Sequence, residues 1–173
     1  MRVIAGTYGG RRIDAPTGRG TRLTSELVRG AIFNSVGARF DLQGAKVADL
    51  FAGSGALGIE ALSRGAQSAV FVESSRTAVA TIEKNLARLA LEATVQRITV
   101  EHWAAAWHEP LDIVFADPPY DWSGWPDLLG EMVTFPVRAV VAEAARPIHH
   151  PDWKVVSERR HGDTVVTLLE TTS

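Results

Sequence analysis

The chain has 173 residues, 46% of them hydrophobic, and a formal charge of −2, about one domain's worth with apolar residues enough for a core, which excludes a disordered polypeptide. It has no cysteine, which excludes disulfides, thiolate metal sites and any mechanism that passes a methyl group through a cysteine; its five histidines show no metal-ligand spacing, and no metal is expected. No apolar run reaches transmembrane length and no signal-like segment opens the chain, so a cytoplasmic protein is expected.

The charge is unevenly spread. Residues 1–40 hold Arg2, Arg11, Arg12, Arg19, Arg22, Arg29 and Arg39 against Asp14 and Glu26, a net +5, which leaves −7 for the rest. A basic segment on an acidic body is an electrostatic footprint for a polyanion. Arginine suits bidentate phosphate contacts and stacking on bases. Within this segment Arg2-Val3-Ile4 and Arg12-Ile13 predict a small hairpin. Thr24 or Ser25 predicts the cap of a helix whose apolar positions are Leu27, Val28, Ala31, Ile32 and Val36. Two units are expected: a basic extension, 1–40, and a larger body, 41–173.

From Lys46 onward strands and helices alternate. Strands are predicted near 46–50, 69–73, 95–100, 112–116, 138–143, 153–158 and 163–170. The clearest helix follows Ser74 and Ser75, with Val79, Ile82, Leu86 and Leu89 on one face. This succession predicts an α/β fold: a mostly parallel seven-stranded sheet with helices on both faces. The last two strands are separated only by Arg159 to Gly162, which makes an antiparallel strand near one edge.

The first strand runs into Asp49-Leu50-Phe51-Ala52-Gly53-Ser54-Gly55-Ala56-Leu57-Gly58. Its glycines satisfy G-x-G-x-x-G, a loop that turns sharply and lets a ligand approach a helix N-terminus. Alone that motif suits a dinucleotide enzyme equally well. Asp49 weighs against one, because a carboxylate opposes pyrophosphate and suits an ammonium group. S-adenosylmethionine fits, cradled by Asp49, Phe51, Ala52, Gly53, Ser54 and Gly55. Glu73, ending the second strand, is placed to accept from ribose hydroxyls.

The fourth strand, Ile113-Val114-Phe115-Ala116, runs into Asp117-Pro118-Pro119-Tyr120. An ionised Asp117 only accepts hydrogen bonds, and an exocyclic amino group offers two donors. Pro118 and Pro119 fix the turn and lack competing N–H groups. Tyr120 offers a face for stacking a base. Trp122 and Trp125 follow closely; stacking on flanking bases and capping the core are both open to them. Ligands of such sheets bind beyond the carboxyl ends of the strands, so the glycine loop and Asp117 to Tyr120 should border one crevice.

Taken together these residues resemble the bacterial small-subunit (16S) rRNA guanine-N2 methyltransferases of the RsmD type. Arg2-Val3-Ile4-Ala5-Gly6, Gly10-Arg11-Arg12, Thr21-Arg22-Leu23-Thr24-Ser25, Val28-Arg29 and Ile32-Phe33-Asn34 follow the N-terminal pattern. The glycine loop with Glu60-Ala61-Leu62-Ser63-Arg64-Gly65, then Glu73, Lys84-Asn85-Leu86 and Asp117 to Tyr120, complete it over about residues 2–145. The resemblance implies a Rossmann-like class I methyltransferase fold and S-adenosylmethionine as cofactor. It implies 16S rRNA as partner, within an assembled or assembling small subunit; a monomer is expected. Arg11, Arg12, Arg22, Thr24 and Arg29 become the expected RNA contacts.

The chain departs from that pattern at Leu23, Leu27 and Gly30, where the family usually has proline, arginine and an acid. The family's adenine-binding acid after the third strand is also missing. His102, the backbone of Trp103, or Glu101 is expected in its place. Rival readings are an amino methyltransferase acting on adenine N6 or cytosine N4 of DNA or RNA, a nicotinamide-dependent oxidoreductase, and a non-catalytic RNA-binding module.

Overall fold

The computed structural model describes residues 1–16 and 25–172. Among them the elements run α1 (Glu26–Gly37), β1 (Lys46–Leu50), α2 (Ala56–Ser63), β2 (Ser68–Val72), α3 (Arg76–Leu89), β3 (Thr94–Gln96), α4 (Val100–Ala106), β4 (Leu111–Ala116), α5 (Trp125–Met132), β5 (Val137–Ala144), β6 (Trp153–His161) and β7 (Thr164–Thr171). The strands form one seven-stranded sheet in the order β3-β2-β1-β4-β5-β7-β6. β1 to β5 pair in parallel, and β7 runs antiparallel between β5 and β6. The expected parallel sheet with an antiparallel strand near one edge is therefore what forms.

Both faces are covered. β1 and β4 are buried almost throughout, as strands sandwiched between helix layers must be. On one face Val28 and Ile32 of α1, Ile59 of α2 and Ile82 and Leu86 of α3 pack against Val47, Phe71, Ile113, Phe115 and Val141. On the other, Trp103 of α4 and Leu128, Leu129 and Met132 of α5 pack against Leu50, Val114 and Val140.

The basic N-terminal segment shares the first of these cores. Val3 and Ile13 lie in it, and the Phe33 ring sits 5.3 Å from that of Phe115. The hairpin is a short one, closed by an antiparallel bridge between Arg2 and Arg12. Ser25, rather than Thr24, caps α1 by accepting from the Val28 N–H at 3.2 Å. Thr24, Arg22, Arg19 and Leu23 lie outside the described residues.

Two expectations fail within elements. Leu27, read as a core position of α1, is 78% exposed. The buried stripe is Val28, Arg29, Ile32, Phe33 and Val36, and Leu27 lies about 170° round the helix from its centre. The strand expected at 95–100 ends at Gln96, because Thr99 caps α4 and diverts the chain. A β-branched run such as Ile98-Thr99-Val100 reads as strand until a capping hydroxyl competes for the backbone.

Candidate active site

The crevice forms where the chain order reverses, between β1 and β4. The pairs Leu50–Val72 and Leu50–Ala116 end these strands at one level. The next residues along β2 and β4 are Glu73 and Asp117. The glycine loop leaves β1 between them, so both motifs border one crevice.

The loop is shaped by backbone that side chains resist. Gly53 and Gly55 have φ of 56° and 76°, and Phe51, not a glycine, has φ of 57°. A non-glycine residue held there marks a loop whose surroundings dictate its course. At Gly58 a Cβ would overlap the Phe71 ring. Its absence lets the start of α2 close on Asp49, whose Oδ2 accepts from the Gly58 N–H at 2.8 Å.

The acids differ in setting. Glu73 takes the Gly53 N–H on one oxygen at 2.9 Å and the Ser75 N–H on the other at 2.8 Å. It therefore fixes the glycine loop while its remaining lone pairs stay open to hydroxyl donors. Asp49 is 2% exposed. Burial pushes its carboxyl up to about 8; the Gly58 hydrogen bond opposes the rise, and the negative charges of Asp117 and Glu73 add to it. Ionised, such a set of carboxylates repels a pyrophosphate. It fits a ligand with an ammonium group and two ribose hydroxyls.

Asp117 is half-buried, Pro118 buried and Pro119 exposed. The Tyr120 ring is 48% exposed, yet its hydroxyl lies 2.8 Å from Thr164 Oγ1 of β7. This tether holds an exposed ring in one plane, as a stacking platform requires. Trp122 and Trp125 take different roles. Trp125 is buried, whereas Trp122 meets Phe51 edge-on at 4.9 Å and donates from Nε1 to Glu101 Oε1 at 3.0 Å. Trp122 thus packs between Phe51 and Trp125 at the edge of the second core, with Glu101 as its hydrogen-bond partner.

His102 and Trp103 follow the third strand closely. Both lie in the first turn of α4. The Trp103 ring is in the core, its N–H donates to the Thr99 carbonyl and its own carbonyl accepts from Trp107. His102 keeps an exposed ring, with Nδ1 2.9 Å from Thr99 Oγ1. Arg97 and Thr99 are the polar residues between β3 and α4.

The N-terminal segment is bolted to α2 and α3, and through Asn85 to the glycine loop. Glu60 of α2, fully buried, accepts from the Ile4 and Ala5 N–H groups at 2.7 and 3.0 Å and from Arg64 Nε at 2.7 Å. Ser63 bonds Ala5, Thr7 and Tyr8. Gly6 is obligatory there, since a Cβ would run into the Ser63 carbonyl. Asn85 of α3 pairs with both backbone groups of Asp14 and donates to the Ser54 carbonyl at 3.0 Å. Sequence reasoning gave Glu60 and Asn85 no role. The signal was present in each case: a polar residue within an otherwise apolar helical stripe.

Arg11 and Arg12 are exposed on the hairpin, open to a polyanion. Arg29 is not. It has no exposed surface, and Nη2 donates to the Arg2 carbonyl at 2.6 Å. The expectation that it contacts RNA phosphate is corrected: a guanidinium buried between hairpin and helix braces the segment from within. Burial lowers its pKa, with Glu60 and Glu26 opposing.

Comparison with known proteins places this geometry. The family described as conserved hypothetical protein 95 (Cons_hypoth95) matches residues 1–170. YlbH of Bacillus subtilis (strain 168), provisionally named an rRNA methyltransferase, is 38% identical over 99% of this chain and 93% of its own. Ribosomal RNA small subunit methyltransferase D of Escherichia coli (strain K12) is 40% identical over 69% of this chain, a stretch that spans 60% of that relative. Among solved structures, yhhF of Escherichia coli, provisionally named a methyltransferase, superposes with a TM-score of 0.87 at 28% identity, covering 99% of this chain and 97% of that one.

Proposed function

This chain belongs to the Cons_hypoth95 family, the RsmD-type methyltransferases, and from that premise we propose that it methylates the exocyclic N2 of a guanine in 16S rRNA, with S-adenosylmethionine as donor. The observation that carries this reading is the juxtaposition of Glu73, the glycine loop and Asp117 at the carboxyl ends of three adjacent strands. Curated relatives of this chain are named as rRNA methyltransferases, which supports rRNA as the substrate class.

S-adenosylmethionine supplies an electrophilic methyl group. The rest falls to the chain. Glu73 accepts from the ribose hydroxyls, and ionised Asp49 receives the ammonium. The lone pair of a guanine amino group is delocalised into the ring. Asp117 and the Pro118 carbonyl accept its two protons and favour a pyramidal nitrogen with its lone pair directed outward. Tyr120 stacks on the base and holds its plane. Orientation of this kind can remove about 7–11 kcal/mol of a barrier in favourable cases. The target base must stand in a loop or be flipped out of a helix to reach these groups.

The Asp49 carboxyl gives a pH signature. Its folded value of about 8 lies above the ordinary 3.8. Its contribution to stability is therefore complete at low pH and is lost as pH rises through that value. An ammonium ligand needs the ionised form, so binding releases a proton below pH 8. Calorimetric affinity for S-adenosylmethionine is expected to rise by up to about tenfold per pH unit towards this value and then level. Asp49→Asn should flatten the profile; an unchanged profile would remove Asp49 from the cofactor site.

Arg11 and Arg12 are proposed to contact phosphate. Neutralising each should lower RNA affinity and reduce the slope of log affinity against log salt by about 1. An unaltered slope would place the RNA on another face. The proposal as a whole is tested by offering labelled S-adenosylmethionine with undermethylated small subunits, naked 16S rRNA and duplex DNA. Label confined to rRNA-containing substrates is expected. Label in DNA, or in none despite cofactor binding, would sink the rRNA assignment.

A further inference from the structure

We propose that Glu143 selects the base: it accepts the N1–H of the target guanine while Asp117 accepts from N2, an inference that rests on the guanine-N2 reading above. The register of β4 and β5 ends with Ala116 beside Ala142. The following residues, Asp117 and Glu143, are therefore neighbours across a parallel strand pair, about 4.8 Å apart along the backbone. Their side chains share a face. Phe115 and Val141, two residues before each, both lie in the first core cluster, and side chains of a strand repeat with period two.

The stacking platform passes over the same place. Tyr120 leaves the chain just beyond β4 and its hydroxyl reaches Thr164 on β7. β5 lies between those strands in the sheet, so the ring spans the strand that carries Glu143. A base lying on that ring points one edge at the strand ends. It meets Asp117 first and Glu143 beside it.

Guanine carries two adjacent donors on its pairing edge, the N2 amino group and N1–H. Two carboxylates side by side, each acceptor-only when ionised, match that pair. Adenine and cytosine also carry an amino group, but the ring nitrogen next to it is a lone-pair acceptor, which a carboxylate repels. Glu143 is 1% exposed, and away from water such a mismatch weighs more heavily than at a surface. The same logic that singles out Glu73, a carboxylate closing an apolar strand, applies to Ala139-Val140-Val141-Ala142-Glu143.

The test uses 16S rRNA carrying at the mapped acceptor position either guanine or, by ligation, 2-aminopurine. The analogue keeps the amino group but has a lone pair at N1. Wild-type kcat/KM should favour guanine by roughly a hundredfold or more. Glu143→Gln should lose about a hundredfold on guanine, and its preference should collapse to within about tenfold, because an amide can donate to the analogue's N1. The analogue also lacks O6, a loss common to both enzymes, so the change in ratio isolates N1. S-adenosylmethionine affinity should stay unchanged.

A variant with the wild-type ratio would overturn the role of Glu143 and leave the guanine-N2 reading intact. N6-methyladenosine or N4-methylcytidine in the wild-type product would overturn both. Should the variant fail to fold, the wild-type ratio alone decides, and a value near one overturns the inference.

Discussion

Asp117→Ala is expected to cut methyl transfer by about a thousandfold, the scale lost when a group that stabilises a transition state is removed. The carboxylate is half-buried at the end of β4 and faces the crevice opposite the glycine loop. The glycine loop has its own anchors. The Gly53 and Gly58 N–H groups are held by Glu73 and Asp49. S-adenosylmethionine affinity should therefore stay within a few-fold of wild type. The loss should appear in kcat rather than in the cofactor's KM. A secondary sign is also expected. After burial, Asp117 is among the causes that raise the Asp49 carboxyl, so its removal should shift the cofactor-binding pH profile downward. Single-turnover transfer measured beside calorimetry separates these effects, and retained turnover would mean that the site is misassigned.

Glu60→Ala should carry the largest stability cost of any single change in the N-terminal anchor. The side chain is buried and receives two backbone N–H groups and the Arg64 guanidinium. Alanine leaves these donors unpaired and strips a partly buried cation of its partner. The expected loss is about 3 kcal/mol, read as a lower denaturation midpoint. Since Ile4 and Ala5 are the residues released, RNA affinity should fall further than cofactor affinity. Glu60→Gln keeps one acceptor oxygen and should lie between. A variant as stable as wild type would show that the hairpin is held by its apolar residues, Val3 and Ile13, alone.

The sheet was legible because its strands are apolar runs closed by turn residues, and the register then follows from burial on both faces. The glycine loop was legible as a sharp turn from strand to helix because glycines at 53, 55 and 58 follow an apolar strand and precede a helical pattern. What escaped the sequence was polar chemistry at a distance. Glu60 meets Ile4 across 56 residues and Asn85 meets Asp14 across 71, separations to which no local pattern refers. Arg29 misled because charge was read as exposure; a helix position beside Val28 and one turn before Ile32 is buried whatever its charge, if a carbonyl waits for it. The region after β3 misled in the opposite way, since Thr99 ended the strand earlier than its β-branched neighbours suggest.

The most direct test of the account is the identity of the methylated nucleoside. After transfer from labelled S-adenosylmethionine to undermethylated small subunits, the rRNA is digested and its nucleosides are separated by mass spectrometry. N2-methylguanosine at a single 16S position is the result that the proposed function calls for. N6-methyladenosine, N4-methylcytidine or a ribose-methylated product would contradict it.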